Sequence, residues 1–182
     1  MLRTILLFGL AAGVIVATPM FSLLVFGESE ASHSMVTGYL LMLLGLSLIF
    51  VAVKRHRDRA LGGVIRFLPA FLMGLGISVV AGIVYVIGWE ISLAATHFAF
   101  VDDYGAAMIE AARAKGASAA ELARVAGEVE KFRTQYANPL FRLPMTFVEI
   151  FPVGLLVSLV TAALLRNSRF LPQRTARTSS AA

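Results

Sequence analysis

The sequence predicts an all-α fold: a four-span transmembrane helix bundle carrying an extracytoplasmic helical hairpin between spans three and four. Of 182 residues, 58% are hydrophobic and the mean hydropathy is +0.81, against a usual apolar share of roughly 45–50%. The excess is gathered into four blocks, each long enough to supply the ~20 helical residues that cross a bilayer core. Short basic segments flank these blocks on one side, and a long alanine-rich charged segment lies on the other. The length fits a single domain. It divides into a membrane domain over 1–171, with the hairpin at about 102–137, and a tail over 172–182 built from Ser, Thr, Ala and Arg. That composition predicts a disordered cytoplasmic tail.

The spans run from about Ile5 to Phe26, Val36 to Val53, Phe67 to Leu93 and Met145 to Leu165. "KRHRDR" (Lys54–Arg59) lies between the second and third, and "RNSRFLPQRTAR" follows the fourth. With Arg3 and Arg66 these segments hold ten of the sixteen Lys and Arg residues, and Asp58 is their only acid. Glu28, Glu30 and His33 fall in the opposite loop. Basic residues in short loops mark the cytoplasmic face, so both termini and "KRHRDR" are expected inside the cell. A cleaved signal peptide is the rival for the first block, with "VIVA" as its small-residue site. The apolar run continues through "MFSLLVF", which suits a retained span, and Pro19 is tolerable in a membrane helix.

Three spans carry a small residue at every fourth position: Gly9, Gly13 and Ala17; Gly74, Ser78 and Gly82; Gly154, Ser158 and Ala162. Such rows line one side of a helix and let backbones approach closely, which is how helices associate in lipid. They predict a compact bundle, within one protomer or between protomers.

The long loop reads as two helices. "VDDYGAAMIEAARAKG" opens on acids and closes on Lys115 and Gly116, in keeping with the helix dipole and a glycine stop. The second opens at Ser118, with Glu121 at capping-box spacing. Leu122, Val125, Val129, Phe132 and Tyr136 make a single apolar stripe. That stripe is expected to cover the bundle mouth, with a partner helix or the lipid surface as alternatives. Asn138 and Pro139 suit a helix start.

The ionisable residues near the outer side are Glu90 beside Trp89, His97 seven residues on, Arg142, and Glu149 seven residues after it. Charges at membrane depth turn inward and find partners, and an Arg142 pairing with Glu149 or Glu90 is the simplest arrangement. Two carboxylates with His97 also suit a divalent cation, and a desolvated Glu suits a proton-titrating transport site. Pro152 lacks the N–H that would bond the Val148 carbonyl, freeing an acceptor beside Glu149. On an ideal helix Glu149 points about 180° from Ser158 and about 140° from Gly154. It therefore lies off the small-residue seam. On the cytoplasmic side Lys54, Arg55, Arg57 and Arg59 are candidate contacts for anionic lipid headgroups; the same loop also sets topology.

With no cysteine, disulfides, thiol catalysis and cysteine-ligated metals are excluded. No HExxH, nucleophile-elbow, P-loop or paired-aspartate motif accompanies the ionisable cluster. An enzyme, a cofactor and a nucleic-acid partner are not expected. The expected role is a structural or accessory membrane protein that self-associates or binds a membrane partner. The alternative is a small oligomeric transporter or channel with a proton- or cation-binding site at Glu90 and Glu149. "GYLLMLLGLSLIFVAVKRHRDRALGGVIRF", "YVIGWE" and "YANPLFRLPMTFVEIFPVGLLVSLVTAALLR" resemble a bacterial membrane family known as domain of unknown function 4199. The resemblance runs from the first span to about Pro172. It implies a four-span bacterial inner-membrane protein and brings no activity or site residue.

Overall fold

A computed structural model describes residues 1–26 and 35–172. Glu28, Glu30, His33 and the tail beyond Pro172 lie outside the described residues. All regular structure among the described residues is helical: α1 (Leu2–Phe26), α2 (Met35–Leu46), α3 (Leu48–Ala60), α4 (Phe67–Ala95), α5 (Ala99–Ala114), α6 (Ala119–Tyr136) and α7 (Pro139–Leu165). Four helical stretches are long and apolar enough to cross a membrane: Leu2–Phe26, Val36–Ala60, Phe67–Ala95 and Pro139–Leu165. The second joins α2 and α3 across Ser47, whose hydroxyl donates to the Leu44 carbonyl at 2.6 Å. The fourth begins six residues before the apolar run does. Asn138 caps it by accepting from the Leu140 N–H at 3.0 Å, and Pro139 sits in the first turn, where its missing N–H is no loss.

α4 is the helix around which the others assemble. A Cβ on Gly9 would sit 2.6 Å from Val80 Cβ, and one on Gly13 would sit 2.5 Å from Val84 Cβ. Ile5 packs on Gly76, and Ala17 packs on Gly88. These pairs advance together in steps of four, so α1 and α4 run parallel. Toward α7 the order reverses: Gly74 meets Ser158, Ser78 meets Gly154, and Gly82 meets Phe147. α7 is therefore antiparallel to α4. The two rows on α4 are offset by two residues, about 160° around the helix. One helix thus presents close-contact faces to two neighbours on opposite sides. All three small-residue rows are occupied within one chain.

The Ser78 and Ser158 hydroxyls lie 3.1 Å apart at the centre of the second seam. Each also donates back to the carbonyl four residues before it, Gly74 at 3.0 Å and Gly154 at 2.7 Å, so their burial leaves no polar atom unpaired. The core continues through Ala12, Val16, Met42, Ile49, Ile77 and Ile150. Outward, Leu10, Val14, Leu40, Leu44, Ile83, Ile87, Leu156 and Val160 are exposed. An apolar exterior around a polar-satisfied interior matches a hydrocarbon surround.

α4 ends in a tight turn. His97 (φ 50°) and Phe98 (φ 64°) are both left-handed, and the Phe98 N–H returns to the Leu93 carbonyl at 2.8 Å. α5 and α6 then pack on each other. The Ser118 hydroxyl caps α6 by accepting from the Glu121 N–H at 3.3 Å. Gly105 receives the Val129 side chain, and Arg133 pairs with Asp102 across the two helices. The base of the α6 stripe meets α4, where Leu93, Val101 and Tyr136 form a second small core with Trp89, Phe100 and Phe132 around it.

Gly154→Ala would bring a Cβ within 2.7 Å of Ser78 Cβ, and overpacking of this kind costs about 1–3 kcal/mol. Gly127 in α6 has open space around it, and alanine there should stabilise by about 0.5–1 kcal/mol. Thermal midpoints of the detergent-solubilised variants are expected to move in opposite directions.

Candidate functional site

The polar groups of the long helices collect in three places. At the α5–α6 end, Arg142 is buried on α7 because it lies on the same face as Thr146 and Ile150. Glu90 on α4 meets it side-on. Arg142 Nε donates to Glu90 Oε1 and Nη2 donates to Oε2, both at 2.7 Å. Nη1 donates to the Tyr136 carbonyl at 2.8 Å. The guanidinium carbon lies 5.3 Å from the Phe98 ring centroid and 5.8 Å from that of Tyr136, within cation–π range. The left-handed turn at His97–Phe98 is what brings Phe98 over the charge. Trp89 Nε1 donates to the Tyr136 hydroxyl at 2.7 Å. Burial raises the Tyr136 phenol above its ordinary value, so it stays neutral. The fork geometry matches a carboxylate in two parallel hydrogen bonds, which lysine cannot do.

Glu90 and Arg142 are therefore each other's partners, and the left-over members of the expected cluster go elsewhere. His97 is exposed in the turn after α4. Among the described residues no group of three His, Asp or Glu side chains converges as metal ligands, so Glu90, Glu149 and His97 are not gathered around a common cation.

Glu149 stands apart from this network. Tyr85, itself buried, directs its hydroxyl to Glu149 Oε2 at 3.4 Å. That is long for an O–H···O bond. Glu149 itself is exposed, on an outward strip of α7 with Met145, Val148 and Leu156. Among the described residues no Lys, Arg or His lies within ion-pair distance of it. An apolar surface groove of about 340 Å³ runs between α4 and α7, lined by Ile83, Val86, Ile87, Leu143, Pro144, Phe147 and Val148.

The third place is the α3–α4 end. Arg57, expected among the headgroup contacts, is fully buried. Its Nη1 and Nη2 donate to the Phe170 and Leu171 carbonyls at 3.0 and 2.6 Å, and its Nε to Asp58 Oδ1 at 2.7 Å. Each of its three nitrogens is engaged inside the protein, so Arg57 anchors the segment after α7 and is withdrawn from any lipid surface. Lys54 is partly engaged by Asp58 at 2.5 Å. Arg55 and Arg59 are exposed. The Lys54–Asp58 spacing of four residues was visible in the sequence; the carbonyls that capture Arg57 lie more than a hundred residues away and gave no local signal.

Two consequences are measurable. Removing one partner of a buried ion pair costs about 3–5 kcal/mol. Arg142→Ala should approach the lower end of that range, because Glu90 is 30% exposed and solvent softens its loss. Glu90→Gln should cost less, and a double-mutant cycle on thermal unfolding should show strong coupling. Arg57→Ala removes the donor from the carbonyls of half-buried Phe170 and exposed Leu171, at about 1–3 kcal/mol in total. It should speed amide exchange around Phe170 and Leu171 while leaving the α5–α6 end unchanged.

The description "Protein of unknown function (DUF4199)" fits this chain over residues 7–167. No curated protein and no solved structure gives a significant match. The matched span runs from within α1 to just beyond α7 and includes Glu90, Arg142, Glu149 and Arg57, and the chain belongs to the DUF4199 family.

Proposed function

We propose that this chain is a multi-pass protein of the bacterial cytoplasmic membrane with a structural or accessory role, associating with itself or with another membrane protein. Both termini and the α3–α4 turn lie in the cytoplasm in this reading, and the α5–α6 pair lies outside as a hairpin. The charge distribution supports that orientation, with ten of sixteen cationic residues in the short segments of one side. Arg55 and Arg59 remain for anionic headgroups.

The observation that carries the role is Glu149. The small-residue faces are consumed inside the chain, and Glu90 and Arg142 satisfy each other. Glu149 alone leaves a polar group on an otherwise apolar outward strip. A carboxylate facing hydrocarbon costs on the order of 3 kcal/mol, and a neighbouring chain removes that cost. The same residue supports a second reading, a proton- or cation-linked transporter. With Glu90 engaged by Arg142, Glu149 is the titratable group there, and several copies would be needed to enclose a path.

The cysteine-free chain suits labelling tests. In intact cells a membrane-impermeant maleimide should label Lys115→Cys and leave Arg59→Cys unlabelled. Single cysteines at Val148 or Leu156 should cross-link in native membranes, to a second copy or to another protein. A chain that stays uncross-linked, combined with a liposome flux that Glu149→Gln abolishes, would replace association with transport.

A further inference from the structure

We propose that the Glu149 strip of α7 is the docking surface for a transmembrane helix of a different protein, one that carries a lysine or arginine at the depth of Glu149. This rests on the association reading above and names the partner's chemistry. The surface consists of Glu149 with Met145, Val148 and Leu156, all exposed along one side of the helix. It carries two acceptors. One is the carboxylate, held only by the long contact from Tyr85. The other is the Val148 carbonyl, which has lost its helical donor because Pro152 stands four residues on. A surface with acceptors and no cation is complementary to a group rich in donors and positive charge.

The long helices of a second copy lack that group at the level of Glu149, and the cations Arg113, Lys115, Arg124, Lys131 and Arg133 belong to the α5–α6 pair beyond Arg142. α4 contains no Lys or Arg, and α7 contains Arg142 alone. Arg142 lies seven residues from Glu149, about 10 Å along the helix axis, and each of its three nitrogens already donates to Glu90 or Tyr136. Arg3 and the Lys54–Arg59 cluster lie toward the other end of the bundle. Seam pairing puts Glu149 level with Tyr85, and Arg3 and Ser158 level with Gly74, so Arg3 is about 16 Å and the start of α4 about 27 Å along the axis from Glu149. Copies inserted with the same orientation cannot bring those charges to Glu149. The cation therefore comes from another protein. A hard metal ion fits poorly, because such ions take six or more oxygens and one carboxylate with one carbonyl falls well short.

The test uses the full chain in phosphatidylcholine vesicles, labelled at Lys115→Cys, with synthetic ~20-residue Leu/Ala helices carrying an acceptor dye. One peptide has a single Lys at the depth of Glu149, one has Leu there, and one has the Lys near an end. Saturable energy transfer is expected for the first. It should be at least about tenfold weaker for the other two, and for the first peptide against Glu149→Gln. Glu149→Lys should lose the Lys peptide and gain a peptide with Glu at that depth. Fluorescence of the single tryptophan, Trp89, in its contact with Tyr136, shows that each variant is folded. Equal binding of the Leu peptide, or binding indifferent to Glu149→Gln, overturns the proposal. So does Glu149-dependent self-association without peptide, which would leave the association reading standing with a second copy as partner. Capture of a lipophilic ammonium by Glu149 with no peptide bound overturns it in favour of a small-molecule site. Absence of any association, with peptide or between copies, sinks both.

Discussion

The close approach of α4 to α1 and α7 is the constraint on which the rest of the molecule depends. In lipid there is no hydrophobic drive to bring apolar helices together, so contact area and backbone proximity supply the cohesion. α4 meets that need twice. Gly76 and Gly88, with Val80 and Val84 between them, engage α1, and Gly74, Ser78 and Gly82 engage α7. At these separations a single added carbon collides with a neighbour, and helices so placed cannot slide by less than a full turn. The register then decides everything further along. It sets Glu90 against Arg142, Tyr85 against Glu149, and Ser78 against Ser158.

Both ends of the bundle are closed by an arginine that reaches backbone carbonyls as well as a carboxylate. Arg142 takes Glu90 and the Tyr136 carbonyl, joining α4 and α7 to the end of α6. Arg57 takes Asp58 and the carbonyls of Phe170 and Leu171, joining α3 to the segment after α7. The guanidinium suits this work because its donors are fixed in one plane and it cannot lose its charge. Each arginine is buried, so its desolvation must be repaid by several short contacts made together. The aromatic rings of Phe98 and Tyr136 do part of that at Arg142. Two left-handed residues in succession, His97 and Phe98, cost on the order of 1–2 kcal/mol each. Stacking over a desolvated cation offsets some of that strain.

Glu149 is the exception to this economy. Every other charged side chain within the four long helices either has a partner or sits near an end. Glu149 lies off the seam, on the side of α7 that the bundle does not cover, with one distant hydroxyl for company. Proline at 152 adds a second unmet acceptor to the same region. Nothing in the packing of one chain requires either feature, which is why the proposed docking of a partner helix centres on them.

Much of the architecture can be deduced from composition and spacing. Four apolar runs, the capping signals at Ser118 and Asn138, and the stripe ending at Tyr136 are local properties. They depend on which residues lie three or four apart on one helix, and so they appear at the right places in three dimensions. The displacement of Glu149 from the small-residue seam was equally legible, because it follows from 100° per residue. Partnership was not. Whether Arg142 chose Glu90 or Glu149, whether the small rows met within one chain, and whether Arg57 faced lipid or the interior all depend on contacts between residues 50 to more than 100 positions apart. Those contacts follow from how α4 is wedged between two neighbours in one parallel and one antiparallel register. No periodicity within a single helix contains that information, because register is a property of the pair.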